Sequence, residues 1–266
     1  MPQPVPPTQS VENGMFVCDY GGTDSRLPLL YLHGLGVAGL CFEEIVRHPL
    51  IAARRQLVVD LPGYGRSLWA EEPTHLEELA AHLAGWLTER GEGPVIPIGH
   101  SMGGVLAVYL AEQHPERVKA IINVEGNISP GDCSSSAQAA NQSLDEFIDG
   151  GFVGMIDAAY RHGSKNPGSR MHATCMPFCD PHSFHRHSQD LVRVSDEQSM
   201  AKRMAALSCP VHFIAGQPGG SAARSIELLE EAGVPLTKIS PAGHWPFIDQ
   251  PDAFASAVAE FMNQIA

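Results

Sequence analysis

Apolar residues in this chain follow two rhythms. Short, largely apolar runs at residues 16–20, 27–32, 56–60, 94–98, 120–124, 211–215 and 236–239 have the length and β-branched content of strands buried on both faces. Longer stretches at 40–48, 74–90, 102–114, 222–232 and 251–265 repeat their apolar residues at helical spacing. Strands that alternate with helices predict an α/β architecture, a doubly wound and mostly parallel sheet covered on both faces. The alternation breaks over residues 129–206, where 144–148, 153–162 and 184–194 read as helical pieces and no strand pattern appears. We therefore read 1–128 and 207–266 as one core and 129–206 as an inserted helical cap.

Composition narrows the partners. A chain of 266 residues that is 44% hydrophobic and 18% charged has enough apolar surface for one sizeable core. Its 30 acidic residues outnumber 17 basic ones, for a formal net charge of −13, and no basic run tracks a phosphate backbone, so nucleic acid is not an expected partner. No stretch reaches the ~18 apolar residues of a membrane span, and Met1-Pro-Gln-Pro-Val-Pro-Pro7 lacks the basic and apolar regions of a signal peptide. A soluble, cytoplasmic protein with no membrane partner is expected, its proline-rich first residues forming a loose arm. The 6 cysteines show no framework spacing and read as reduced thiols.

The chemistry starts at Gly99-His100-Ser101-Met102-Gly103, a G-x-S-x-G pentapeptide between a strand pattern and a helix pattern. A serine attacks an acyl carbon only if its hydroxyl stands clear of the backbone, beside a base and beside donors for the oxyanion. A tight strand-to-helix turn supplies that stance, and the helix N-terminus supplies free N–H groups. Ser101 is the candidate nucleophile. Among the 13 histidines, His244 is the candidate base, because it follows the last strand pattern and a proline and glycine turn. His33 and His100 sit inside motifs, and His48, His75, His82 and His114 fall on helical faces or ends.

Four segments in order resemble the α/β-hydrolase family: His33-Gly34-Leu35-Gly36, Asp60-Leu-Pro-Gly-Tyr-Gly-Arg-Ser67, Gly99 to Gly104, and Ala242-Gly-His244. The resemblance spans nearly everything after residue 25. It implies a serine hydrolase whose oxyanion hole is built from the backbone N–H groups of Leu35 and Met102. The Asp60 loop reads as scaffold.

The triad acid departs from the commoner pattern of that family, which places an aspartate shortly after the strand at 211–215. Here Gln217-Pro-Gly-Gly-Ser221 follows, without a carboxylate. Glu125, directly after the strand at 120–124, is the candidate third member, a position some branches of the family use, among them haloalkane dehalogenases and zearalenone lactonases. Asp132 and Asp145, in the cap, are fallback acids. His33, Gly34, His100, Phe178, Phe184 and Trp245 are expected to line the substrate pocket, with Met176 beside the two phenylalanines. His172, Cys175, Cys179, His182, His185 and His187 are zinc-type ligands, but their spacing matches no standard site and Pro177 and Pro181 interrupt any single helix, so no metal and no cofactor is expected.

These residues point to cleavage of a small-molecule carboxylic ester or lactone through an acyl-enzyme. A carbon–carbon bond hydrolase uses similar residues and stays open, as does a low-turnover ligand-binding receptor on the same fold. Haloalkane and epoxide chemistry is disfavoured because it needs a carboxylate where Ser101 stands.

Overall fold

The computed structural model describes residues 6–164 and 166–265, so most of the expected N-terminal arm lies outside the described residues. Eight strands form one sheet: β1 (Thr8–Glu12), β2 (Met15–Tyr20), β3 (Leu29–Leu32), β4 (Gln56–Asp60), β5 (Ile96–His100), β6 (Ile121–Val124), β7 (Val211–Gly219) and β8 (Leu236–Gly243). Their order is β1-β2-β4-β3-β5-β6-β7-β8. β2 pairs antiparallel with β1 and β4, and every pair from β4 onward is parallel. The expected doubly wound, mostly parallel sheet is present.

The helices are α1 (Leu76–Glu89), α2 (Met102–Gln113), α3 (Ser134–Ala140), α4 (Leu144–Glu146), α5 (Phe152–Gly163), α6 (Pro167–Cys175), α7 (Pro181–Glu197), α8 (Met200–Ala206), α9 (Ala223–Ala232), α10 (Pro246–Asp249) and α11 (Pro251–Gln264). The two-residue period of a strand sends alternate side chains to two apolar layers. Leu30 and Leu32 join the layer of α1, α2 and α9, whereas Leu29 and Tyr31 join the layer of α11, with Phe254, Val258 and Phe261. Between β6 and β7 the chain makes α3 to α8 and, among the described residues, no strand. Among the described residues no helix is long and apolar enough to cross a membrane.

Three element readings change. The segment 40–48 forms two 3-10 turns, Gly39–Phe42 and Ile45–Arg47, instead of one helix. The Gly39 N–H is taken by Asp60 Oδ1 at 2.8 Å, and Pro49 forces His48 out of the helical region to ψ 131°, so the run cannot lengthen. Residues 144–148 hold only the short α4, followed by a π-helical turn at Phe147–Gly151. β1 went unread because its residues are mostly exposed and carry no apolar alternation.

α7 carries a buried histidine with a consequence for acid stability. His187 is 1% exposed; its Nε2–H donates to the Thr74 carbonyl at 3.1 Å and its Nδ1 accepts from the Tyr64 hydroxyl at 2.8 Å. Both contacts use the neutral ring, and burial pushes its pKa from 6.5 down to about 4. The unfolded chain therefore takes up a proton that the folded chain refuses between those values. Stability from this group is full above pH 6.5 and is lost as pH falls toward 4, by about 3 kcal/mol. His33 and His100, also buried, act in the same direction. Urea midpoints at pH 7.5 and 4.5 should differ more for the parent than for His187→Gln; an equal drop in both would show that this ring is not coupled to folding.

Candidate active site

Ser101 sits at the turn from β5 into α2 with φ 53° and ψ −119°, a backbone state that costs a non-glycine residue ~1–3 kcal/mol. Close packing holds it there. A Cβ on Gly99 would lie 2.2 Å from the Gly103 carbonyl oxygen, and one on Gly103 would lie 2.1 Å from the Leu32 carbonyl oxygen, so only glycine fits on either side of the turn. The Ser101 N–H donates to the Val124 carbonyl at 2.9 Å, tying the turn to the end of β6. Met102 opens α2, where backbone N–H groups have no intrahelical acceptor. The loop after β3 comes close to this turn: a Cβ on Gly34 would stand 3.1 Å from Ser101 Cβ.

Glu125 follows β6 directly, is 2% exposed and has a φ of 56°. Its carboxylate takes donors from three directions: His244 Nδ1 on Oε2 at 3.1 Å, and the Gly216 N–H at 2.6 Å and Ser221 hydroxyl at 3.0 Å on Oε1. A buried carboxylate needs such donors to stay charged. Because a carboxylate only accepts, the contact places a proton of His244 on Nδ1. The loop after β7, where an aspartate is absent, serves as a cradle for this carboxylate. A Cβ on Gly220 would fall 2.4 Å from Glu125 Oε1.

Two further contacts brace His244. His100 Nε2–H donates to the His244 carbonyl at 2.8 Å, with ring centroids 4.8 Å apart, and the Gly243 N–H before it donates to Asp249 Oδ2 at 2.8 Å. The sequence reading did not single out Asp249. The fallback acids are elsewhere engaged or distant. Asp132 accepts from the N–H groups of Ile128, Ser129 and Ala222 and from the Ser225 hydroxyl, and the exposed Asp145 lies in the first turn of α4.

Ser101, Glu125 and His244 open on one cavity of about 280 Å³, shared with Gly34, Leu35, His100 and Trp245. Four expected pocket residues are elsewhere. His33 is fully buried as a strut, its Nδ1–H donating to the Gly34 carbonyl at 2.9 Å and its Nε2 accepting from the Leu61 N–H at 2.9 Å. Phe184 packs with Phe147 and Phe152 in the apolar layer, and Phe178 is 62% exposed. Met176 is fully buried in that same layer. Aromatic content alone did not say which way each helix of the 129–206 segment turns its faces.

The wall is instead rich in hydroxyls: Ser134, Ser135, Ser136 and Ser169 line it, with Asn127 and His172. A serine run beside glycine and aspartate reads as an exposed turn, which is why it went unnoticed. His172 lies over the loop after β3, where a Cβ on Gly36 would be 2.4 Å from its Nε2; burial, then the nearby His244 ring, push its pKa down to about 4. The rest of the His and Cys cluster disperses. His182 pairs with Asp180, His185 with the Gln142 carbonyl, and Cys175 and Cys179 are buried. Among the described residues no group of three or more His, Cys, Asp or Glu is arranged to hold a metal ion.

The profile of the alpha/beta hydrolase family matches residues 29–257. The chain belongs to this family. It is 28% identical over 258 residues to a pimeloyl-[acyl-carrier protein] methyl ester esterase of Edwardsiella ictaluri, covering 88% of this chain and 93% of the relative. A lipase of Mycobacterium tuberculosis, LipV, is 35% identical over 105 residues, 38% of each chain. Among solved structures, a carboxylesterase of Nitrososphaera gargenis superposes with a TM-score of 0.77 at 20% identity, covering 98% of both chains. An N-acyl homoserine lactonase superposes with a TM-score of 0.76 at 17% identity, covering 98% of this chain and 97% of the other. At those identities the two structures speak for the fold.

Proposed function

We propose that this α/β-hydrolase cleaves a carboxylic ester or lactone through an acyl-enzyme, with Ser101 as nucleophile, His244 as base and acid, and Glu125 as the charge that orients and steadies the imidazolium. It is a hydrolase acting on ester bonds. The reading rests on one observation above all: the Glu125 to His244 Nδ1 contact at 3.1 Å, on the cavity that holds Ser101. The low-turnover receptor drew its support from the missing acid after β7, and a carboxylate reaching His244 from β6 removes that support.

His244 Nε2 takes the Ser101 proton as Oγ attacks the carbonyl carbon. Negative charge on the carbonyl oxygen is met by the N–H groups of Leu35 and Met102. The proton then passes to the leaving alkoxide oxygen, freeing an alcohol or, for a lactone, opening the ring. Water repeats the cycle on the acyl-enzyme, giving the acid and restoring Ser101. Residues 129–206 act as a cap over the site, with α3 and α6 contributing its serine wall.

An aryl butyrate assay with a fluorophosphonate tests this. The fluorophosphonate should abolish turnover in step with one adduct per chain, mapped by peptide mass to Ser101. Turnover that survives complete labelling, or an adduct on another residue, would sink the assignment.

A further inference from the structure

Among the described residues, five buried side-chain polar atoms have no hydrogen-bond partner, and three of them belong to residues that line the active-site cavity: His100 Nδ1, Asn127 Oδ1 and His172 Nε2. Leaving such an atom unpaired costs ~1–3 kcal/mol, which a substrate group that comes within reach of it would recover. Two have a fixed role. His100 gives its proton to the His244 carbonyl from Nε2, so Nδ1 can only accept. Asn127 turns its Nδ2 toward the Asp132 carbonyl, 3.4 Å away, so Oδ1 is the free acceptor, on a residue 2% exposed. The missing partner is therefore a donor. The same wall adds the hydroxyls of Ser134, Ser135, Ser136 and Ser169. Among the described residues, its ionisable groups are the carboxyls of Glu125 and Asp132 and the rings of His100, His172 and His244. A substrate carboxylate would meet the like charge of Glu125 and Asp132.

Building on the ester-hydrolase reading, we propose that the substrate is a small, neutral ester or lactone whose non-reacting part carries a hydrogen-bond donor, a hydroxyl or an amide N–H, and that Asn127 Oδ1 accepts from it and sets this preference. The cavity of about 280 Å³ stands at the small end of ligand sites, which favours short substrates over long acyl chains.

Matched esters followed by acid release separate the possibilities: ethyl butyrate, ethyl 3-hydroxybutyrate, 2-hydroxyethyl butyrate, ethyl N-acetylglycinate and monoethyl succinate, each rate divided by its alkaline hydrolysis rate. At least one donor-bearing ester should exceed ethyl butyrate in kcat/KM by about tenfold or more, as one satisfied buried acceptor permits. Monoethyl succinate should fall below ethyl butyrate. Asn127→Leu should lower the ratio of the donor-bearing ester's kcat/KM to that of ethyl butyrate by about tenfold, to near one, with the fold intact by circular dichroism. Asn127→Ser, which also withdraws the amide oxygen, should do the same and serves if the leucine variant does not fold. Equal rates across the neutral esters, a preference for the succinate, or a donor preference that survives both substitutions would overturn the substrate class alone. Absence of turnover on every ester together with absence of a Ser101 adduct would overturn the hydrolase reading itself.

Discussion

Ser101→Ala should lower kcat on an activated aryl ester by ~10⁴–10⁶, with the fold intact by circular dichroism. The hydroxyl is the only atom of this residue that forms a bond to substrate in the proposed mechanism, and without it His244 has no proton to take. What remains is ~10³–10⁴ over water, from the N–H groups of Leu35 and Met102 and from binding. Activity within tenfold of the parent would place the nucleophile elsewhere. Ser101→Gly separates chemistry from strain. At φ 53° a serine holds a state that glycine enters freely, so the glycine variant should be as inactive as the alanine variant yet melt ~2–4 °C above it, the shift that about 1 kcal/mol produces in a domain of this size. Equal melting temperatures would mean that the turn stores no energy.

The fold was legible because its signal is periodic. β3, β4, β5, β6 and their neighbouring helices bury one residue type on each face, and Leu29 to Leu32 feed two apolar layers in strict alternation. β7 and β8 run past their apolar ends through Gly219 and Gly243, because pairing between the backbones continues where side chains no longer advertise a strand. The residues of the site were legible for a different reason: turns that only glycine permits leave a mark in sequence. Gly99 and Gly103 are steric necessities, Gly34 packs closely on Ser101, and Glu125 stands at a strand end. Pocket walls leave no such mark. Whether Phe184 faces a substrate or Phe147 depends on the rotation of α7, which its apolar pattern does not specify, and Asn127, His172 and the four serines are ordinary loop and helix residues until the chain folds.

Glu125→Gln should cost ~10³–10⁴ in kcat while preserving shape, and the reason lies in counting protons. The carboxylate accepts from His244, Gly216 and Ser221 at once. A glutamine amide offers one oxygen and one NH₂. If the oxygen keeps the Gly216 N–H and the Ser221 hydroxyl, the NH₂ faces His244 Nδ1, which must then accept; the imidazole proton moves to Nε2 and the ring can no longer take the serine proton. If the amide turns over, NH₂ meets the Gly216 N–H in a buried pocket and the loop must open. The first arrangement loses the base and the second loses stability, so kcat and the melting temperature read different outcomes of one substitution. Ser221→Ala removes a donor but no charge and should cost only about tenfold. Gly220→Ala should resemble the glutamine variant in activity, because its methyl would occupy the place of Glu125 Oε1, 2.4 Å away. Full activity in Glu125→Gln would mean that His244 is oriented by its backbone braces, His100 and Asp249, and that the carboxylate after β6 serves only to knit the ends of β6 and β7 together.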